Sequence, residues 1–165
     1  MRNTDPDAPP PLPRLGAGHP ELAALVDAAR QGGTPLVVLH VDIDHFASIN
    51  QNMGIEVGDI ALETVGDRLR TLMDGRGHVW RHGSDEFVVA LPDAQASVVT
   101  AQALAQQLIA TIEQPLTVLP YTLFLGAKVG ISLCPQHGSD ASQLLQLAET
   151  AVRRASHVVH DPVQV

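Results

Sequence analysis

The chain has 165 residues and a formal net charge of −8, and Lys128 is its only lysine. This acidic balance argues against a nucleic-acid partner, because binding to phosphate backbones requires a basic surface. Hydrophobic residues make up 45% of the chain, enough for the core of one globular domain. No apolar run is long enough to span a membrane and no targeting pattern opens the chain, so a cytoplasmic protein is predicted.

The N-terminal part of the chain divides into a leader and the start of a domain. Residues 1–19 are rich in proline and glycine, which disfavour both helix and strand, and a flexible leader is predicted there. A helix is predicted from Pro20 to about Arg30, because proline is favoured in a first helical turn and glycines follow. The domain is expected to occupy residues 20–160.

A strand and two helices are predicted next. The nearly continuous apolar run Leu36–Asp42 is typical of a central strand. Asp44 is placed to cap a short helix over His45–Asn52, which Gly54 ends. Apolar residues then recur at helical spacing from Glu56 to about Met73, which predicts an amphipathic helix.

The second half of the chain predicts two strand pairs and two helices. His78–Arg81 and Phe87–Leu91 form a predicted hairpin with acidic residues near its tip. A helix is predicted over Ala96–Glu113. A strand pair follows, Pro115–Leu119 with Tyr121–Leu133, which turns at Pro120. The last predicted helix is Ala141–His157. This order predicts an α+β fold, with helices on the faces of a sheet.

Three carboxylates are placed where side chains can converge. Asp42 ends the predicted central strand, and Asp85 and Glu86 lie near the hairpin tip. Mg²⁺ prefers oxygen ligands, usually one or two carboxylates with phosphate oxygens, and Asp42 and Asp85 could supply that pair. Carboxylates at strand ends and turns are also common on solvated surfaces, so this pattern alone leaves both interpretations open. The histidines of the chain, including His45 and His82, show no convincing spacing for metal ligands.

Ordered motifs resemble the GGDEF family over about residues 35–158. The matching segments are Val41-Asp42-Ile43-Asp44-His45-Phe46, Ile49-Asn50, Gly54, Gly58-Asp59, Arg81-His82-Gly83-Ser84-Asp85-Glu86-Phe87, Lys128-Val129-Gly130-Ile131-Ser132, Gly138-Ser139-Asp140 and Leu147-Ala148-Glu149-Thr150-Ala151. The resemblance implies a nucleotide-cyclase-like, ferredoxin-like fold with a central, mostly antiparallel sheet. Family members with complete motifs are diguanylate cyclases, which join two GTP molecules into cyclic di-GMP between two apposed domains. GTP, cyclic di-GMP, and a homodimer or other signalling proteins are therefore the partners it implies.

The resemblance also implies roles for individual residues. Asp42, Asp85 and the backbone carbonyl of Ile43 would hold Mg²⁺ or Mn²⁺. Glu86 would complete the acidic cluster and help to activate the attacking 3′-hydroxyl, so that Asp85 and Glu86 are the implied catalytic residues.

Guanine binding is implied for two further residues, Asn50 and Asp59, whose side chains match the hydrogen-bonding groups of guanine. Asn50 is also compatible with a helix end, and Asp59 with a first helical turn, where an anion is favoured. The family's signature sequence corresponds to Gly83-Ser84-Asp85-Glu86-Phe87, and its turn is called the signature turn below. Gly83 and Ser84 would border the nucleotide there.

The chain departs from the family pattern on the phosphate side. Where family members usually carry a lysine or an arginine, this chain has Ala47, Ser156 and His160. A triphosphate needs positive charge from such side chains in addition to its metal ions. Ser84 replaces the second signature glycine, so backbone strain or crowding of the nucleotide is expected there. These departures predict a degenerate GGDEF domain that binds GTP and Mg²⁺ with weak or no cyclase activity and acts as a regulatory or interaction module. The alternatives are an active diguanylate cyclase and a protein-binding module without a ligand.

Overall fold

The computed structural model describes residues 6–7, 10–155 and 163–165. Within them the helices are α1 Pro20–Gly32, α2 Phe46–Met53, α3 Ile55–Met73, α4 Val98–Glu113 and α5 Ala141–Ala155. The strands are β1 Leu36–Ile43, β2 His78–His82, β3 Glu86–Pro92, β4 Leu116–Val118, β5 Tyr121–Leu123, β6 Ala127–Cys134 and β7 Val163–Gln164. No helix in these described ranges is both long enough and apolar enough to cross a bilayer.

The main sheet has the strand order β2-β3-β1-β6-β7. Strand β1 is central and pairs antiparallel with both β3 and β6, whereas β7 pairs parallel with β6. Strands β4 and β5 form a separate hairpin. The predicted α+β fold with a mostly antiparallel sheet is therefore confirmed.

The central strand is apolar along nearly its whole length because helices cover both of its faces. Val37, Leu39 and Val41 lie in a core that includes residues of α3 and α4. Leu36 and Val38 lie in a second core with residues of α1 and α5. Even-numbered residues of β1 thus share the face covered by α5, which is the face that also carries His40 and Asp42.

Helix α5 approaches the sheet closely at Gly130, in the middle of β6. A side chain at this position would overlap the backbone carbonyl oxygen of Ala148 and come within 2.8 Å of the backbone nitrogen of Val152. The absence of a Cβ at Gly130 therefore allows this turn of α5 to lie directly on β6, opposite His40 of β1.

The stretch Tyr121–Leu133, predicted as one strand, is two strands in the structure. Residues 121–123 pair with β4, whereas residues from Ala127 onward pair with β1. The chain changes partner between the two, so a single strand could not satisfy both ladders. The apolar content of the segment does not reveal this change.

Part of the predicted leader packs against the domain. The backbone N–H of Leu15 donates to the carbonyl oxygen of Arg81 over 3.0 Å, and the N–H of Arg81 donates to the carbonyl oxygen of Pro13 over 2.9 Å. Leu15 is buried, and Arg14 donates from Nη1 to the carbonyl oxygen of Gly83 over 2.8 Å. Strand β7, Val163–Gln164, also pairs with the sheet. It lies beyond residue 160, where the sequence predicts the end of the domain.

Candidate nucleotide and metal site

The sheet brings the three predicted carboxylates together. Asp42 is the second-last residue of β1 and faces Glu86, the first residue of β3, in the strand register. Asp85 precedes Glu86, and its carbonyl oxygen accepts a hydrogen bond of 3.1 Å from the backbone N–H of Ile43. One carboxylate oxygen from each of Asp42, Asp85 and Glu86 lies within 4.8 Å of the others. These three side chains are named the acidic cluster below.

Burial and mutual repulsion raise the pKa values of the acidic cluster. The pKa of Asp42 rises from 3.8 to about 6, mainly because of burial and then because of the charges of Asp85 and Asp44, while Lys128 opposes the rise. Burial and the Asp42 charge likewise raise the pKa of Glu86. The raised pKa values show that the negative charges of these carboxylates are unfavourable when held together, and a divalent cation between them would offset this repulsion. A set of carboxylate oxygens fits Mg²⁺ or Mn²⁺.

Asp44 does not cap α2, so that prediction is wrong. The N-cap residue is His45, and no side chain caps the helix. The Asp44 carboxylate instead accepts a hydrogen bond from Lys128 Nζ on β6, over 2.5 Å, and its backbone N–H donates to the carbonyl oxygen of Gly126. A partner 84 residues away in sequence thus takes the carboxylate that a local cap would have used.

The signature turn needs its first glycine but not its second. Gly83 has a φ of +59°, and a Cβ there would overlap the Glu86 carboxylate. Ser84 is not among the described residues with positive φ, and its hydroxyl donates to Asp85 Oδ1 over 3.3 Å. The prediction of backbone strain at Ser84 is therefore wrong, because the residue with the left-handed conformation is Gly83. The expected crowding of a nucleotide stays a prediction.

Asn50 and Asp59 lie on the packed pair α2 and α3. Asn50 Oδ1 is buried and has no hydrogen-bond partner in the part of the chain that the structure describes, and Gly58 lies so close that a Cβ there would overlap it. The Asn50 carbonyl oxygen also accepts from the N–H of Gly54, so Asn50 lies in the last turn of α2, which ends at Met53. Asp59 is exposed. Burial and the Arg14 charge lower the pKa of Arg81, and the Asp59 charge opposes this shift. An orphaned buried acceptor is an available site for a donor on a ligand.

The resemblance implies a phosphate-binding lysine or arginine at three positions, and the structure describes only one of them. Ala47 is exposed in α2. Ser156 and His160 lie outside the described residues. Arg153 of α5 donates to Thr150 over 3.3 Å.

A histidine cluster beside the acidic cluster was missed by the sequence reasoning. His40 of β1 and His82 of β2 lie near Glu86 and near Glu149 of α5. Burial lowers the pKa of His40 from 6.5 to about 4; Glu149 opposes the shift, and His82 and Arg153 add to it. The imidazole is therefore neutral near pH 7. His40 and His82 come from non-adjacent strands, so their proximity depends on strand order, which sequence spacing does not encode.

Known proteins resemble this chain over most of its length. The family model "Diguanylate cyclase, GGDEF domain" matches residues 18–159. The chain is 32% identical over 119 residues to signaling protein YkoW of Bacillus subtilis, covering 72% of this chain and 15% of YkoW. It is 32% identical over 130 residues to cyclic di-GMP phosphodiesterase NbdA of Pseudomonas aeruginosa, covering 79% of this chain and 16% of NbdA.

A solved structure shows the same fold. The GGDEF domain of YfiN, also called TpbB, from Pseudomonas aeruginosa matches with a TM-score of 0.85 at 29% identity, covering 93% of this chain and 95% of that chain. The two curated relatives are much longer proteins, since this chain spans 15% and 16% of their lengths. The comparisons therefore concern a domain rather than the whole of those proteins.

Proposed function

Because this chain belongs to the GGDEF domain family of cyclic-di-GMP signalling, we propose that it binds GTP with Mg²⁺ or Mn²⁺, has weak or no cyclase activity, and acts as a regulatory domain. One contrast supports this proposal. The acidic cluster is assembled, whereas Lys128, the only lysine in the chain, is paired with Asp44. A triphosphate would thus meet metal ligands but little cationic help beyond the metal.

In the proposed complex, Asp42, Asp85 and the backbone carbonyl of Ile43 hold the metal ion. The bound ion supplies positive charge that offsets the phosphates. Glu86 lies across the register from Asp42, and its proposed role is to accept a proton from an attacking 3′-hydroxyl. Its pKa is raised mainly by burial, which favours proton uptake. These side chains are therefore suited to the reaction, while the phosphate side limits it.

The guanine base is proposed to bind at Asn50 and Asp59. Asn50 Oδ1 is buried without a partner, so a guanine N–H donor would satisfy it. The exposed Asp59 carboxylate would accept from the N1 and N2 donors. Gly83 and Ser84 would border the nucleotide at the signature turn. Adenine lacks these donors in the same arrangement, so GTP should bind more tightly than ATP.

Asn50→Ala is expected to weaken GTP binding in Mg²⁺ about tenfold, since one hydrogen bond contributes about 1–1.5 kcal/mol. Isothermal titration calorimetry with GTP and ATP measures this directly. Asn52→Ala is the matched control, because Asn52 is exposed on the same helix and should leave the affinity unchanged. Equal losses in both variants, or equal affinities for GTP and ATP, would contradict guanine recognition at Asn50.

Cyclase activity is tested by chromatography of the products after incubation with GTP and Mg²⁺ or Mn²⁺. We expect nearly all GTP to remain, with any trace of cyclic di-GMP abolished in Asp85→Ala. Abundant cyclic di-GMP that depends on Asp85 would instead establish an active cyclase, the alternative that the unstrained Ser84 favours.

The binding measurement then separates the remaining alternatives when no product forms. Tight GTP binding without turnover supports the regulatory domain. Absence of binding to GTP and cyclic di-GMP in Mg²⁺ would leave a module that contacts protein partners only. A homodimer or another signalling protein is the partner class proposed in either case.

A further inference from the structure

Two histidines and two glutamates from four separate elements converge on the α5 face of the sheet. His40 Nε2 lies 3.9 Å from Glu86 Oε1 and 3.8 Å from Glu149 Oε1. His82 Nε2 lies 3.3 Å from the same Glu149 oxygen. These four side chains are named the His-Glu cluster. His40, His82 and Glu86 also place one possible ligand atom each within 4.8 Å of one another.

His40 is the buried centre of the cluster. The residue is 2% exposed, and neither of its ring nitrogens has a hydrogen-bond partner among the described residues. Its contacts with the two glutamates, at 3.8 and 3.9 Å, are too long for hydrogen bonds. A buried imidazole without partners is costly in an apolar core, so a ligand that joins it to its neighbours would remove that cost.

The separations match those around a small transition-metal ion. Zinc binds histidine nitrogen and carboxylate oxygen at about 2.0–2.2 Å, so neighbouring tetrahedral ligands lie about 3.3–3.6 Å apart. Three of the separations are 3.3, 3.8 and 3.9 Å, and the ligand atoms of His40, His82 and Glu86 lie within 4.8 Å of one another, so the four side chains must draw together around an ion to reach this spacing. We propose that His40, His82, Glu86 and Glu149 form a binding site for a divalent transition-metal ion of the zinc class.

The surroundings agree with a cation at this position. Glu86 and Glu149 bring two negative charges, and Arg153, whose charge acts on His40, brings one positive charge. The ring of His19 lies 6.1 Å from that of His82, and no described residue forms a hydrogen bond with its buried Nδ1. The balance of charge is therefore negative, and a further imidazole lies beside the site.

This site differs in chemistry from the acidic cluster, although the two share Glu86. Imidazole ligands select zinc, cobalt or nickel, whereas the carboxylates of Asp42 and Asp85 suit magnesium. The proposal is therefore independent of nucleotide binding and can be tested without it. Its ligands also include His40 and Glu149, which the proposed GTP site does not use.

The test uses the whole chain without nucleotide and titrates Co²⁺ and Zn²⁺. We expect one equivalent of Co²⁺ to give the visible absorption of tetrahedral cobalt and Zn²⁺ to displace it. His82→Gln and Glu149→Gln should each weaken binding at least about 100-fold. These two partly exposed positions are the deciding variants because His40 is buried; His40→Leu is the supporting one. Circular dichroism verifies the folding of each variant.

Two controls distinguish this site from others. His78→Gln removes an exposed histidine outside the cluster and should leave Co²⁺ binding unchanged. Asp42→Asn, which removes a carboxylate of the acidic cluster but no member of the His-Glu cluster, should also keep the tetrahedral spectrum. The proposal is overturned if the deciding variants bind as the original chain does, if binding is lost only in Asp42→Asn, or if the cobalt spectrum is octahedral.

Discussion

Gly130→Ala is expected to destabilise the domain by about 3 kcal/mol, which lowers the midpoint of thermal unfolding by about 10 °C. The new methyl group would overlap the carbonyl oxygen of Ala148 and press on the backbone nitrogen of Val152. Both are helix backbone atoms, so no side-chain rotation can relieve the overlap, and α5 must move away from β6. Differential scanning calorimetry or urea unfolding measures the loss.

Gly32→Ala is the matched control for this prediction. Gly32 ends α1, and no atom lies within 4 Å of the position that its Cβ would occupy. The free energy of unfolding should therefore change by less than about 0.5 kcal/mol. If the two variants have the same stability, then α5 does not lie as closely on β6 as the structure has it.

Asp42→Asn is expected to raise the stability of the metal-free protein near pH 7.5 by about 1 kcal/mol, a value discounted because Asp42 is only half-buried. Its pKa is raised from 3.8 to about 6, chiefly by burial, so the native state holds this proton more tightly than the unfolded state. Stability therefore falls as pH rises between 3.8 and about 6, and the penalty is complete above that window. The amide removes both the penalty and this pH dependence.

The same substitution should have the opposite effect when ligands are present. With Mg²⁺ and GTP, the original chain should gain stability, whereas Asp42→Asn should bind the pair about 10- to 100-fold more weakly. Urea unfolding in EDTA from pH 4 to 8, repeated with Mg²⁺ and GTP, measures both effects. Asp74→Asn, in the exposed turn after α3, is the control for the charge change. An Asp42→Asn variant that is less stable in EDTA, or that retains full ligand stabilisation, would contradict this account.

Much of the fold follows from local patterns in the sequence. The helical spacing of Val57, Ala61, Val65 and Leu69 predicted α3, and the apolar run in β1 predicted a central strand. The change of strand partner after Leu123 was missed, because apolar content does not show which ladder a strand joins. Local rules succeed where structure depends on nearby residues.

The acidic cluster was predictable in part, and the His-Glu cluster was not. The resemblance to a family placed Asp42 and Asp85 together, and the structure shows them adjacent. His40 and His82 meet only because β3 lies between β1 and β2, and Glu149 joins them because α5 lies close to Gly130. Strand order and helix approach are properties of the whole fold, so spacing along the chain does not reveal such sets.

The segment that runs beside β2 also protects the sheet. Strand β2 is at the edge of the sheet, and Pro13 and Leu15 occupy both hydrogen-bonding groups of Arg81. A domain shortened to residue 18, where the family match begins, would leave those groups open to solvent. An open strand edge is a template on which other chains can add a strand, so the shortened domain would be prone to self-association. Proline and glycine content in this region thus conceals a short segment that pairs with the backbone of Arg81 at the sheet edge.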